Sequence, residues 1–338
     1  MKRIAHRLLS GIEERVDRRA AGRPVSRRVV LQPYRGFGRT DELLLRGRVL
    51  VEKNITRARE SEPLWRNLLN TYRRFQSDEV AGVRIVATFR DAVTETISDP
   101  EGYFQLVLRP TELDASMPWH EVGVSLPEHG VTAIGHVLVP PPDARFGVIS
   151  DIDDTIVQTN ATSIPRMVRS VVRNAASRLP FDGVADLYRA LHTNRNPIFY
   201  VSSSPWNMYD LLHDFMDLNG IPHGPMFLQD WGVDEQTLIT RPHEAHKLEQ
   251  IRTLLDYYPD LRFVLIGDSG QHDPEIYLKV IQSRPGRIVA AFIRDVTPDL
   301  RDQAVARILE QANGAGVEML YVRNSDEALA HAQRLGIA

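Results

Sequence analysis

Between residues 28 and 140 the apolar positions fall in short runs with a period close to two. The runs are LLLRGRVLVE (43–52), VRIVATF (83–89), TETISD (94–99), YFQLVLRP (103–110), HEVGVSL (120–126) and TAIGHVLV (132–139). That alternation predicts half-buried strands, and several in succession predict an antiparallel sandwich. Pro100-Glu101-Gly102 supplies turn chemistry between two of them. Residues 61–75, with EPLWRNLLNTYRRF, carry a helical period among the strands. Pro140-Pro141-Pro142-Asp143 reads as a stiff, extended linker. Beyond it the pattern changes. Short continuous apolar runs, FGVIS (146–150), PIFYVS (197–202), PMFL (225–228), RFVLIG (262–267), RIVAAFI (287–293) and EMLYV (318–322), predict buried strands. The stretches DGVADLYRALH, PWNMYDLLHDFM, AHKLEQIRTLLDYY and LRDQAVARILEQA between them have helical spacing. Strand and helix in alternation predict a parallel sheet covered on both faces, with chemistry at the carboxyl ends of its strands.

The 338 residues exceed one ordinary core and predict three segments: 1–27, a β-sandwich-like domain at 28–140, and an α/β domain at 146–338. Cysteine is absent, which excludes disulfides, thiolate zinc sites and a cysteine nucleophile. The net charge of −3 argues against a general nucleic-acid binder, and no nucleic-acid partner is expected. The charge is uneven, however. Residues 1–28 hold nine Lys/Arg against three acids, a local +6. Ile4, Leu8, Leu9, Ile12 and Val16 recur there at helical spacing, so this is a basic amphipathic segment suited to an anionic membrane or to docking on its own domain. Its apolar stretch is too broken by charge for a secretory signal, and the expected location is cytoplasmic with peripheral membrane contact as an option. No apolar run approaches the roughly 20 residues of a membrane-spanning helix.

The strand ends hold the chemistry. The first predicted strand of the α/β segment runs into Asp151-Ile152-Asp153-Asp154-Thr155. Three carboxylates within four positions oppose one another's ionisation, and a hard divalent cation bound by oxygen ligands, Mg²⁺, resolves the conflict. An EF-hand is excluded because its sixth position would be Ile156 instead of glycine. The second strand ends in Ser202-Ser203-Ser204-Pro205, hydroxyls and backbone N–H groups able to cradle phosphate just ahead of a helix. Lys247 opens a later helix, and a further strand ends in Gly267-Asp268-Ser269-Gly270 with Asp273 beyond. Asp154 reads as a turn residue. His243, His246 and His272 lack metal-ligand spacing and read as rim or structural groups.

Taken in order, this set resembles the haloacid dehalogenase superfamily of phosphohydrolases over about residues 146–338. DIDDT, YVSSSPW and IGDSGQHDPEIY are most similar to the magnesium-dependent phosphatidate phosphatases of the fungal actin-patch-associated type. The resemblance implies a Rossmann-like parallel sheet with helices on both faces. It implies Asp151 as the nucleophile that forms an aspartyl-phosphate and Asp153 as the acid/base. It further implies Mg²⁺ held by Asp151, Asp153 and Asp268, with the Asp153 carbonyl as a ligand. Ser202, Ser203 and Lys247 would hold the phosphoryl oxygens, Thr155 would complete the first motif, and Asp273 and Ser269 would support the last. Separately, TISDPEGYFQLVL is similar to the edge hairpin of transthyretin-like or carboxypeptidase-regulatory-like sandwiches.

Little chain is left for a large cap, so the implied site is open and suited to a bulky or membrane-embedded phosphate ester. In the small insertion, about 161–181, apolar Met167, Val168, Val171 and Val172 alternate with Arg166, Arg169, Arg173 and Arg178. That helix either meets anionic lipid or packs as a lid. The expected activity is hydrolysis of phosphatidate to diacylglycerol and phosphate. Two alternatives stay open: the same chemistry on a soluble or polymeric ester, and a non-catalytic adaptor with a degenerate phosphatase fold. No protein partner of the β segment can be named from its residues.

Overall fold

A computed structural model describes residues 28–52, 79–157, 180–229, 243–296 and 302–338. The basic segment at 1–27, the helix expected at 61–75 and nearly all of the arginine-rich insertion lie outside the described residues.

The amino-terminal part is an antiparallel sheet with one parallel pair. Its strands are β1 (Arg28–Pro33), β2 (Gly36–Arg39), β3 (Glu42–Glu52), β4 (Arg84–Phe89), β5 (Ala92–Ile97), β6 (Tyr103–Leu108), β7 (Trp119–Leu126) and β8 (Val131–Leu138). The order is β1-β3-β2-β8-β7-β4-β5, with β6 on the other side of β3 and β2 parallel to β8. Strands from the whole path supply one core: Leu43, Leu45 and Val49 from β3, Ile85 and Ala87 from β4, Leu106 and Leu108 from β6, Val122 and Val124 from β7. The expected antiparallel strands are thus present, as one sheet around one core and not as two separate sheets. Two expectations are corrected. The Pro100-Glu101-Gly102 turn closes no hairpin ladder, because β5 pairs with β4 while β6 pairs with β3. The turn instead carries the chain across the core, with Gly102 at φ 77° and the Asp99 carboxylate accepting from the Tyr103 N–H at 2.8 Å. The proline run is not extended either. Ala144 N donates to the Pro141 carbonyl at 3.0 Å, making a turn, and Arg195 grips Asp143 at 2.7 Å.

The second sheet is entirely parallel: β9 (Gly147–Ser150), β10 (Ile198–Pro205), β11 (Met226–Gln229), β12 (Phe263–Asp268), β13 (Ile288–Arg294) and β14 (Glu318–Val322), in the order β11-β10-β9-β12-β13-β14. Successive residues feed opposite cores. Val148, Tyr200, Ile266 and Phe292 face one side, Ile149, Val201, Leu265 and Ile293 the other. The first side is covered by α1 (Val184–His192), α2 (Tyr209–Leu218) and α6 (Ser325–Arg334), through Leu187, Tyr188, Leu212, Ala328 and Ala332. The second is covered by α3 (His243–Tyr257), α4 (Asp273–Ser283) and α5 (Asp302–Gly314), through Ile251, Leu254, Ile276, Val280 and Ala312. The strands read as unbroken apolar runs because both faces are buried. β9 lies centrally, with β10 and β12 on either side, so the chain order reverses there. That switch point is where such sheets open a crevice at their carboxyl ends.

β2 joins the two sheets. Phe37 packs on Phe227 of β11 and Tyr257 of α3, each with ring centroids 5.1 Å apart. The Tyr258 hydroxyl donates to the Gly38 carbonyl at 3.1 Å.

Candidate active site

β9 delivers Asp151 to the switch point, where its N–H donates to the Ile266 carbonyl at 2.9 Å. The chain then curls into one tight turn: Ile156 N and Val157 N both donate to the Ile152 carbonyl, and Asp154 takes φ 55°. Asp154 therefore serves the turn, as its sequence context suggested. The curl brings Thr155 back so that its hydroxyl donates to Asp151 Oδ2 at 3.3 Å.

α3 enters from the opposite layer and places Lys247 Nζ 3.0 Å from Asp151 Oδ1 and 2.5 Å from Asp273 Oδ1. All three side chains are at most 3% exposed. Asp273 begins α4, and its second oxygen accepts the Asp268 N–H at 3.1 Å. The approach is so close that Gly267 has no room for a side chain: a Cβ there would sit 2.3 Å from Asp273 Oδ2. Asp268 ends β12, and its Oδ1 accepts from Gly270 N at 2.7 Å and Gln271 N at 2.8 Å. Its Oδ2 is buried with no hydrogen-bond partner.

Asp153 points elsewhere. Its Oδ2 accepts from the hydroxyls of Ser202 (2.8 Å) and Ser204 (2.9 Å), and its backbone carbonyl lies 3.4 Å from Gln271 Nε2. Ser202 Oγ also accepts the Ser204 N–H, so it faces Asp153 and its own loop, while Ser203 Oγ is buried without a hydrogen-bond partner. Ser269 is buried and accepts from Val296 N at 3.1 Å, which ties the last motif to the end of β13. The carboxylates gathered within reach of one ion are thus Asp151, Asp268 and Asp273. Asp153 stands beside them as a serine-held acid. Gln271 was missed in the sequence, and Ser204, read there as part of a phosphate cradle, serves Asp153 instead. His272 is exposed at the start of α4.

Burial governs the electrostatics. It raises the Asp151 carboxyl well above its ordinary range, with Asp273, Asp268 and Asp153 adding to the rise and Lys247 opposing it. Burial and Asp273 push Asp268 up to about 7. Asp153 is raised by burial against the two serine hydrogen bonds. Burial alone would lower Lys247, but Asp151, Asp273 and Asp268 outweigh it and raise the ammonium above its usual range. Three clustered carboxylates against one ammonium leave two negative charges when ionised. A divalent cation fits that deficit and the orphaned Asp268 Oδ2, and an all-oxygen donor set suits a hard ion.

A doubly wound parallel sheet with this acidic crevice at its switch point agrees with the fold that the haloacid-dehalogenase resemblance implies. Residues 146–295 match the family described as phosphatidate phosphatase APP1, catalytic domain, and over that span the resemblance read from the motifs is borne out. Phosphatidate phosphatase APP1 of Saccharomyces cerevisiae is 35% identical over 159 residues, 46% of this chain and 27% of the relative. An uncharacterized Schizosaccharomyces pombe protein is 32% identical over 156 residues, 46% of this chain and 26% of its own length. The chain therefore spans about a quarter of the length of these curated relatives. A HAD family hydrolase from Deinococcus radiodurans aligns with 58% of this chain and 98% of its own, at 16% identity and a TM-score of 0.36. No described helix is long and apolar enough to cross a membrane.

Proposed function

We propose that this protein hydrolyses phosphomonoesters, with phosphatidate as its substrate and diacylglycerol and inorganic phosphate as products. The observation that carries the chemistry is the convergence of Asp151, Lys247, Asp268 and Asp273 at the switch point, with Asp153 held separately by two serines. The substrate class rests on the family match over residues 146–295.

In this reading Asp151 attacks phosphorus, the bond to the leaving alkoxide breaks, and an aspartyl-phosphate forms. Asp153 gives its proton to the alkoxide. It then takes a proton from the water that attacks the phosphorus, which frees phosphate and restores Asp151. The raised Asp153 carboxyl supports this role, since a group that must first donate needs to hold a proton near neutrality. Lys247 orients Asp151 and offsets charge on the phosphoryl oxygens. Asp151 and Asp268 would hold Mg²⁺, together with the Asp153 carbonyl, and the bound ion would neutralise the charge that develops on the transferring group. Thr155 fixes the carboxylate that attacks, and Asp273 fixes Lys247.

The test is phosphate release from phosphatidate in mixed micelles and from a panel of soluble esters, with Mg²⁺ and after EDTA. Asp151→Asn should abolish turnover. Asp153→Asn should slow hydrolysis of an alkyl ester by a factor on the order of 10²–10⁴, and that of an activated aryl ester far less. Release from soluble esters alone would remove phosphatidate from the reading. No release from any ester would leave the non-catalytic adaptor.

A further inference from the structure

The serine segment that grips Asp153 is poorly held by its own sheet. β10 pairs with β9 only through Ile198–Tyr200, and its register against β11 breaks between Val201 and Pro205. Ser202, Ser203 and Ser204 lie inside that break. One anchor of the segment is Asp153 itself. The other is Trp206, one residue past β10 and 7% exposed, and Trp206 is held from the antiparallel sheet.

Tyr34, in the link between β1 and β2, stacks on the indole with centroids 5.2 Å apart and planes at 11°. It also meets the Tyr209 ring at 4.2 Å. The Arg46 guanidinium of β3 lies 4.7 Å from the Trp206 ring centre, within cation–π range. The mount itself is fixed by backbone: Tyr34 N donates to the Arg46 carbonyl at 2.7 Å, and Arg35 N donates to the Tyr209 hydroxyl at 2.7 Å. Gln32 adds a hydrogen bond from its amide to Asp210 on the same helix. Tyr34 is only 3% exposed and belongs to the core beneath the parallel sheet, although its chain belongs to the antiparallel one.

We infer that Tyr34 and Arg46 are positioning residues for phosphate-ester hydrolysis: through Trp206 they set the serine loop that aims the Asp153 carboxylate. This rests on the reading of Asp153 as the acid/base. The antiparallel sheet thereby acquires a catalytic duty besides any interaction it makes. Mis-set donors cost rate steeply, because a displacement near 1 Å can remove about a hundredfold. Such a defect falls on the step that needs Asp153, not on binding or on folding in general.

The experiment compares Tyr34→Ala, Tyr34→Phe and Arg46→Gln in the full chain, Arg46→Gln being the milder change that spares the core. Steady-state kinetics are measured on an alkyl phosphate monoester and on p-nitrophenyl phosphate, whose leaving group needs little protonation. Hydrogen exchange is followed in parallel at the amides of 202–209. Tyr34→Ala and Arg46→Gln should lower kcat on the alkyl ester by roughly tenfold or more, leave KM within about twofold, and affect the aryl ester much less. Exchange should speed up at 202–209 and not at the β12–α4 turn, and Tyr34→Phe, which keeps the ring, should restore both rate and protection. Equal losses on the two esters, a change confined to KM, or unaltered exchange at 202–209 would overturn the inference. If the unaltered protein hydrolyses neither ester, the catalytic reading itself fails, and unchanged protection in Arg46→Gln would then separately refute the brace.

Discussion

Lys247→Met removes a buried ammonium and leaves an apolar side chain of similar length among Asp151, Asp273 and Asp268. In the wild type its Nζ lies 3.0 Å from one carboxylate and 2.5 Å from another. At an effective dielectric near 20, contacts this short are each worth about 5–7 kcal/mol before desolvation is counted. Taking an ammonium out of water costs several kcal/mol, and breaking such a buried pair is destabilising by a net 3–5 kcal/mol. For a unit of 150–250 residues that corresponds to a melting temperature lower by about 6–20 °C. The penalty should depend on pH in a defined direction. The raised pKa of Lys247 places its own titration far above neutrality, so the lysine is charged in both folded and unfolded chains from pH 5 to 8. The carboxylates set the slope instead. Without the ammonium the folded pKa values of Asp151 and Asp268 rise further, the folded variant binds more protons than the unfolded chain, and its stability falls as pH rises. Urea unfolding in EDTA at pH 5 and pH 8 measures this. The gap between variant and wild type should be widest at pH 8 and shrink toward pH 5. Asp273→Asn in the same background should restore part of the loss. A variant as stable as wild type at pH 8, or a gap that widens on acidification, would refute the reasoning.

Mg²⁺ at a hundred times its dissociation constant should stabilise the wild type by about 2.7 kcal/mol and raise its melting temperature, and Asp268→Asn should lose most of that rise. In EDTA the wild type should lose stability as pH climbs from about 4 to 7 and then level off. The folded Asp268 carboxyl, at about 7 against an ordinary 3.8, keeps its proton over that window while the unfolded one gives it up; a melting curve flat across the window would count against the buried acidic cluster. Gly267→Ala places a methyl 2.3 Å from Asp273 Oδ2 and should cost about 1–3 kcal/mol and weaken the Asp273 grip on Lys247, both measurable by chemical denaturation and turnover.

Elements whose local pattern matches their burial were legible in the chain. The parallel strands are apolar on both faces, and each of the six was found within two residues of its ends, apart from β10, which continues three residues beyond its expected end to Pro205. β2 left no such trace. Its sequence, GFGR, has no alternation to read, and its glycines are there because β3 comes close: a Cβ at Gly36 would lie 2.1 Å from the Leu44 carbonyl. α4 went unassigned because five apolar residues between 276 and 281 face a buried layer and blur the helical period. α6 fully buries only Ala328, Ala332 and Ser325, with Leu329 partly buried beside them, which leaves a weak apolar period. At the site, the order of acids, hydroxyl and lysine could be read because each stands at a strand end or helix start. Partners could not. Nothing in the spacing tells that Ser202 would turn to Asp153, or that Asp273 would share Lys247 with Asp151, since those contacts join residues far apart in the chain, the nearest of them 26 positions.

The two carboxylates of the first motif sit two residues apart and yet in opposed surroundings, and this separation gives the proposed chemistry its physical basis. Asp151 faces an ammonium at 3.0 Å, which favours the anion and opposes the rise that burial and the neighbouring acids impose on this carboxyl. Asp153 Oδ2 accepts from two neutral hydroxyls at 2.8 and 2.9 Å. Those bonds, with the charge of Lys247, favour the carboxylate, but burial is the larger influence and leaves its pKa raised. A cation seated on Asp151 and Asp268 would set the two acids apart, because it would lower the first carboxyl more than one held by serines on the far side of the turn. The turn at Ile152–Val157 makes the contrast possible: with Asp154 at φ 55°, it directs Asp151 toward α3 and Asp153 toward β10. Since β10 in turn leans on Trp206 and the antiparallel sheet, the difference between the two acids depends on packing that begins at Tyr34, more than a hundred residues earlier in the chain.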